Sequence, residues 1–416
     1  MSASTKSSSF RRLLQGWRGW RAFKQLSWDW RNIVVYSETG QDWHQFSAVI
    51  QNLNTTLDRR VCYVTSDPAD PAFEYQNDNF RVILIPEGLF LTIFFQVNAA
   101  DVFVLTMMDL GNLQLKRSLQ PVHYIYLFHS MGSTHMVDHA DSFDHYDSLF
   151  CTGPHQVAEI RRREELKGLP VKHLFDYGHP RLEQVMREGQ AHRETKIAEV
   201  GSESADHVET EAESVVTTVL IAPTWGNTSL FNFCGADVIE PLLEAGYKVI
   251  MRPHYQSIRL TPDVISALRE QFEGNPSFDF VDQMGETRSI LESDVLITDW
   301  SAMALEYSLG LQKPVLFVDV PRRIRNPDWQ EWGLEPVESS IREKAGKILS
   351  PDELSRLPAV VEELLQSPVD FRQQMAELSQ KMVFRLGHSV PDGAAEIARI
   401  ADQCRDDRLE RESRDG

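Results

Sequence analysis

Short apolar runs alternate along the chain with longer segments whose apolar residues recur every three or four positions, and the pattern occurs twice. In the first half, residues 33–36, 61–65, 81–85, 102–106, 123–128, 148–151 and 174–177 predict strands. Residues 43–53, 91–98, 155–167 and 182–187 carry helical spacing between them. Apolar runs without polar alternation suit strands of a parallel sheet covered on both faces. Strands and helices in turn predict a doubly wound α/β domain, with its ligand edge at the carboxyl ends of the strands.

The pattern stops at residues 188–214, a polar, acidic stretch without aromatics that reads as a linker or surface loop. It restarts at residue 215 with strands 215–222, 248–251 and 278–281 and helices 236–245, 263–272 and 287–292. The second half culminates in a βαβ unit at 293–319: strand 294–298, the turn Asp299-Trp300-Ser301, a helix through Leu309 and strand 314–319. Helices 351–365, 370–383 and 393–404 follow, and the end reads as a solvated charged tail. The expected architecture is therefore two doubly wound, Rossmann-like domains facing a cleft, with C-terminal helices packing back. Its parts are a basic aromatic segment 1–31, a first α/β domain 32–187, the linker 188–214, a second α/β domain 215–384 and a terminal helix with charged tail 385–416.

Composition changes this picture in three places. With 42% hydrophobic and 25% charged residues, an ordinary soluble globular protein is expected. A net charge of −19 argues against a general affinity for nucleic acid. The charge is uneven, because residues 1–31 carry +6 and the rest −25. The four cysteines, Cys62, Cys151, Cys234 and Cys404, have no metal-ligand spacing and suit reduced thiols in a cytosolic setting. No apolar run is long enough to cross a bilayer.

Within the basic segment, Phe10, Leu13, Leu14, Trp17 and Trp20 project on one side of a helix, with Arg11, Arg12 and Arg18 on the other. Two readings stand side by side: an interfacial helix on an anionic membrane surface, formed by residues 10–31, or a helix packed on its own domain or on another subunit. Residues 1–9 are Ser-rich and read as disordered.

Two histidines stand where strands end. His129 follows strand 123–128 and opens the small-residue loop Ser130-Met131-Gly132-Ser133, and His254 follows strand 248–251 in Arg252-Pro253-His254. An imidazole there can take or stabilise a proton near neutral pH, and Arg252 adds a fixed charge suited to a phosphate or to a salt bridge. Asp299 and Ser301 at the turn are capping residues or anion ligands, and Glu306 one and a half turns later could meet sugar hydroxyls. No dinucleotide fingerprint, P-loop, nucleophile elbow or metal cluster occurs. The segment 139–147 holds His and Asp at spacings that match no metal site and reads as a polar loop.

The wording and order of several blocks resemble the CDP-glycerol glycerophosphotransferase family of teichoic-acid and capsule polymer enzymes, which have a GT-B type fold. They are FHSMGS from Phe128, YDSLFCTGPHQVAEI from Tyr146, YGHPRLE from Tyr177, VLIAPTW from Val219, GYKVIMRPH from Gly246, SDVLITDWSAMALEY from Ser293, KPVLF from Lys313 and GHSVPDGAAEI from Gly387. The resemblance implies that His129 deprotonates an acceptor hydroxyl and that His254 and Arg252 sit at the donor phosphates. It implies Thr298, Asp299 and Ser301 at the diphosphate and Glu306 near the ribose. It makes domain 215–384 the donor-nucleotide domain and domain 32–187 the acceptor-side domain, with Ser130, Gly132, Ser133, His179 and Arg181 on the acceptor side.

The implied reaction moves glycerol phosphate, or a related polyol phosphate, from a CDP-activated donor to a hydroxyl of a glycan or lipid-linked polymer, releasing CMP. No cofactor and no metal are expected, and the place of action is the cytoplasm, as a peripheral enzyme on the inner face of the membrane. The family reads WHG where this chain has Phe128-His129-Ser130, and GYPRND where it has Gly178-His179-Pro180-Arg181-Leu182-Glu183. Two alternatives therefore stay open: a GT-B glycosyltransferase using a nucleotide sugar, and a non-catalytic binding protein of the same fold.

Overall fold

A computed structural model describes residues 3–111, 115–203, 216–283, 285–366 and 368–415. The chain divides into two compact units. Unit 1 comprises Met1–His129, His139–Pro180 and Val383–Gly416, and unit 2 comprises Ser130–Asp138 and Arg181–Met382.

Unit 1 is built on a seven-stranded sheet: β1 (Ile33–Ser37), β2 (Val61–Thr65), β3 (Phe80–Leu84), β4 (Val102–Leu105), β5 (His123–Leu127), β6 (Ser148–Cys151) and β7 (His173–Asp176). Their order is β3-β2-β1-β4-β5-β6-β7, and every pairing is parallel. Residues on β1, β2 and β4 are buried on both faces, which is why these runs do not alternate with polar residues. The C-terminal helix Ser389–Asp415 packs back on this unit: the Asn32 side-chain amide donates to the Ala401 carbonyl at 3.0 Å, and Arg59 and Arg408 pair with Asp402 and Asp101 at 2.8 Å. The end read as a solvated tail is helical through Asp415, with Arg408 also over the Trp28 ring.

Unit 2 holds a six-stranded sheet: β8 (Thr218–Ile221), β9 (Lys248–Met251), β10 (Phe278–Phe280), β11 (Val295–Thr298), β12 (Val315–Val318) and β13 (Gly346–Leu349). The order is β10-β9-β8-β11-β12-β13, again all parallel. Burying a Val, Leu or Ile side chain fully stabilises by roughly 1.5–3 kcal/mol. With every residue of β8, β11 and β12 buried, the loops at their carboxyl ends leave a rigid frame.

Four expectations are corrected. Helix Pro180–Glu203 runs through most of the segment read as a linker, because its Glu, Gln, Ala, Lys and Arg residues are strong helix formers even without an apolar stripe; residues 204–214 of that segment lie outside those described. Strand β13 falls in a stretch read as loop, since only Ile348 and Leu349 mark it and its middle faces solvent. Helix Ala3–Lys24 begins well before Phe10, so the stretch described from Ala3 is helical and not disordered. Ser130–Asp138 group with unit 2 although the sequence places them in the first domain. Their partners lie about two hundred positions away, which no local pattern reveals: the Ser133 N–H donates to Glu338 at 2.9 Å and the Ser133 hydroxyl accepts the Val337 N–H at 2.6 Å.

Candidate active site

In unit 2 the strand order turns between β8 and β11, the place where a doubly wound sheet opens a crevice at its carboxyl edge. The loops leaving these strands are tied together by the two residues that follow Ile297. The Thr298 hydroxyl donates to the Ala222 carbonyl at 2.8 Å. The Asp299 carboxylate accepts the Thr224 N–H at 2.8 Å on one oxygen and the Leu230 N–H at 2.9 Å on the other. Burial pushes the Asp299 carboxyl up to about 6 against the pull of these backbone donors. The sequence aims Thr298 and Asp299 at a ligand, whereas their polar atoms are engaged by the chain: a buried carboxylate takes the nearest backbone N–H groups. The Ser301 hydroxyl accepts the Met303 N–H at 3.3 Å, within the turn that leads into the helix whose N-cap position is Ala302.

Trp300 between them donates its indole N–H to the Val320 carbonyl at 2.8 Å, and guanidinium groups stand over its ring, Arg342 at 3.9 Å and Arg322 at 4.6 Å. Helix Met303–Leu305 then widens into a π-helical turn, Glu306–Gly310, a feature common at functional sites. A Cβ on Gly310 would lie 2.9 Å from Leu182, so the glycine lets helix Pro180–Glu203 approach closely.

Glu306, at the start of that turn, has the Arg181 guanidinium 4.0 Å away, and Arg181 also donates to the Glu286 carbonyl at 3.4 Å. Arg181, read as acceptor-side, thus belongs beside the expected donor residues. Arg252 donates to the Ser289 hydroxyl at 3.2 Å and stands 4.0 Å from the Glu286 carboxylate, which in turn accepts the Ser289 hydroxyl at 2.7 Å. Two guanidinium groups and two carboxylates therefore stand in one cluster. Burial lowers the Arg252 pKa, opposed by Glu286.

His254 caps helix Tyr255–Leu260, its Nδ1 accepting the Gln256 N–H at 3.0 Å. That bond assigns the proton of the neutral ring to Nε2. Burial first, then the Arg323 charge, lower its pKa to about 4, so the ring is neutral at pH 7 and presents an Nε2–H donor.

In unit 1, His129 follows β5, and His179 behind it is buried, its Nε2 3.3 Å from the His129 carbonyl oxygen. His129 is held below its ordinary pKa by loss of surrounding water, then by His179 and His44, against a hydrogen bond to the Leu127 carbonyl. That bond occupies one ring nitrogen as donor and leaves the other with its lone pair. Gly178 adopts a φ of +89°, and a Cβ there would sit 2.3 Å from the Phe384 carbonyl oxygen, so the block Gly178-His179 needs glycine. Gly132 is similarly confined in unit 2, where a Cβ would meet the Glu338 carboxylate at 2.7 Å.

Sequence reasoning missed Glu286, His44, Trp225 and Arg323. Glu286 and His44 lie in no strand-end pattern, but the run Pro321-Arg322-Arg323-Ile324-Arg325 directly after β12 was a usable signal. The segment 139–147 behaves as the polar loop expected: Asp144 pairs with Arg163 at 2.7 Å and Asp147 with Arg117 at 3.0 Å.

Residues 134–321 match the model of the family described as CDP-glycerol:poly(glycerophosphate) glycerophosphotransferase. The span contains His254, Arg252 and the residues from Thr298 to Glu306, while His129 lies just before it. A solved structure of the wall teichoic acid polymerase TagF matches with a TM-score of 0.55 at 15% identity, over 95% of this chain and 98% of that one. The UDP-GlcNAc 2-epimerase from Neisseria meningitidis bound to UDP-GlcNAc matches with a TM-score of 0.57 at 12% identity, over 88% and 99%. No curated protein matches the chain. At these identities the structural likeness shows the fold, two parallel α/β sheets of the GT-B kind. Over residues 134–321, somewhat under half of its length, the chain is thus similar to the CDP-glycerol:poly(glycerophosphate) glycerophosphotransferase family.

Proposed function

We propose that the protein is a transferase that moves glycerol phosphate from CDP-glycerol to a hydroxyl of a polymer or lipid-linked acceptor and releases CMP. The observation that carries this reading is the coincidence of the match over residues 134–321 with the polar cluster of unit 2, where Arg252, Arg181 and the Nε2–H of His254 are donors suited to phosphate oxygens. In the reaction an acceptor oxygen bonds to the glycerol-bearing phosphorus and the bond from that phosphorus to the bridging oxygen breaks. CMP departs with the bridging oxygen, and the hydroxyl proton passes to the lone-pair nitrogen of His129. Phosphoryl transfer depends mainly on positioning and on charge stabilisation, so a neutral imidazole of low basicity is sufficient. Thr298 and Asp299 act through the loops they tie, as positioning residues. Glu306 serves the ribose, and Ser301 the diphosphate.

The donor polyol and the acceptor belong to the same proposal, as does work at the cytoplasmic face of a membrane. Among the described residues no helix is long and apolar enough to cross one. Support for peripheral attachment comes from helix Ala3–Lys24, where Phe10 is 68% exposed, Leu13 48% and Trp17 38%, beside the exposed Arg11, Arg12 and Arg18.

The test is CMP release from CDP-glycerol with a membrane extract as acceptor. Wild-type release that falls on the order of a hundredfold or more in both His129→Ala and His254→Ala is expected. Release of a nucleoside diphosphate from a nucleotide sugar instead would establish the glycosyltransferase alternative. Tight CDP-glycerol binding without turnover would establish a binding protein.

A further inference from the structure

The loop after β12 carries Arg322, Arg323 and Arg325 within four positions of a chain whose net charge is −19. Charge runs of this kind usually face solvent in loose ion pairs. Here, among the described residues, neither Arg322 nor Arg323 makes an ion pair or a hydrogen bond, and both are held by aromatic faces. The Arg323 guanidinium stands 3.5 Å from the centre of the Trp225 ring. Arg322 stands 4.6 Å from that of Trp300 and 5.7 Å from that of Trp329. Stacking fixes the plane of a guanidinium and leaves its N–H edge for an acceptor.

The loop itself is anchored. The Arg325 N–H donates to the Met136 carbonyl at 3.0 Å, and the Asn326 side-chain amide to the His135 carbonyl at 2.8 Å. The platforms are anchored as well, since Trp300 is pinned to Val320 and Trp225 lies in the loop whose Thr224 N–H is held by Asp299. The Trp225 ring is 6.2 Å from that of His254, so Arg323 lies close to the Nε2–H donor already assigned to phosphate. Asp138 is the carboxylate that faces Arg323, and Arg325 opposes it. The result is two ordered cations with unused donors next to a neutral histidine donor, a combination that favours a multiply charged oxyanion.

We propose that Arg322 and Arg323, stacked on Trp300 and Trp225, form a phosphate-binding pair that the substrates of unit 2 engage. The inference rests on the reading above for the identity of the substrate, and the ligand chemistry is a phosphate ester. It can come from two sources, the diphosphate of the activated donor or the phosphodiesters of a growing acceptor.

The experiment measures binding of inorganic pyrophosphate, CDP-glycerol and a short glycerol phosphate oligomer to the full chain by calorimetry. Arg322→Gln, Arg323→Gln, their double variant and Trp225→Leu are compared with wild type, with thermal melting to verify folding. Roughly tenfold weaker pyrophosphate binding is expected for each arginine variant, and a smaller loss for Trp225→Leu, which keeps the charge and removes its platform. Weakening that extends to CDP-glycerol but not to the oligomer assigns the pair to the donor, and weakening that extends to the oligomer but not to CDP-glycerol assigns it to the acceptor. Folded variants that bind all three probes as wild type does would overturn the inference. Loss of pyrophosphate binding in a protein that never releases CMP would keep the pair and refute the transferase reading. Unchanged binding together with CMP release that requires His254 would do the reverse.

Discussion

His254 illustrates how one backbone contact decides a role. Because Nδ1 accepts from the Gln256 N–H and burial disfavours the imidazolium, the ring offers a proton donor that persists to about pH 4. His129 is lowered in the same sense. Neither histidine is therefore expected to give kcat/KM the acid limb near 6.5 of an ordinary imidazole, and any fall near pH 6 should come from Asp299 and be absent in Asp299→Asn. A loss centred at about 6.5 in the wild type that disappears in His254→Gln would refute the assignment. Asp299 has the opposite sign. Its folded pKa of about 6 lies above the ordinary value of 3.8, so the folded state binds the extra proton, and its contribution is complete below pH 3.8 and lost as pH rises through 6. In Asp299→Asn that slope, worth about 3 kcal/mol between those limits, should vanish from urea unfolding measured across pH. The amide also sets a donor against one of the two backbone N–H groups, at a cost of about 1–3 kcal/mol at every pH. His129, His254 and Arg252 were legible in the sequence because polar residues that follow apolar runs fall at the carboxyl edge of a parallel sheet. The internal bonds of Thr298 and Asp299 were not, because a side chain's partner is set by packing that local spacing does not encode.

At the scale of elements, strands with several buried β-branched residues were readable almost to their ends, as in β2 and β12. What failed were elements whose reason for forming lies elsewhere in the chain. Strand β13 pairs with β12 along its whole length, and Gly346 opens it opposite Val315. A Cβ on Gly346 would lie 1.6 Å from the Val315 carbonyl oxygen, which no rotamer change can relieve. Gly346→Ala should therefore displace β13 and destabilise unit 2 by about 3 kcal/mol, seen as a lower urea midpoint and faster proteolysis near residues 346–349. Gly274→Ala, where a Cβ meets open space, is the control and should leave both readings as they are. The helix Pro180–Glu203 was hidden for the converse reason, since its second half follows residue propensity with little apolar patterning. The π-helical turn at Glu306 has no signature in spacing at all.

For the molecule as a whole, the uneven charge and the split behaviour of the N-terminal helix belong together. Its second half and the short helix Trp28–Arg31 after it are committed to unit 1: Phe23 meets Phe94 edge to face at 4.9 Å, a Cβ on Gly19 would fall 2.0 Å from the Leu84 carbonyl oxygen, and Trp30 is buried under Arg81. The two readings of residues 10–31 thus both have a place on the helix, where Gly16, Gly19 and Phe23 pack while Phe10, Leu13, Trp17 and Arg18 stay exposed. A body carrying −25 is repelled by anionic lipid, so attachment must rest on the +6 segment and on Phe10, Leu13 and Trp17. Each basic residue near the surface contributes about 1 kcal/mol, an attraction that salt screens, whereas inserted apolar side chains add a part that salt does not remove. The full chain should bind phosphatidylglycerol vesicles with a blue shift of tryptophan fluorescence, and binding should weaken as salt rises. The combined variant Phe10→Ser, Leu13→Ser and Trp17→Ser should lose on the order of a hundredfold in partition, because about 1 kcal/mol of apolar transfer is removed at each position. Arg11→Gln with Arg12→Gln should instead reduce the salt dependence and leave high-salt binding nearly unchanged. Equal partition of wild type and the serine variant would remove the membrane reading and leave this helix as a packing element of unit 1.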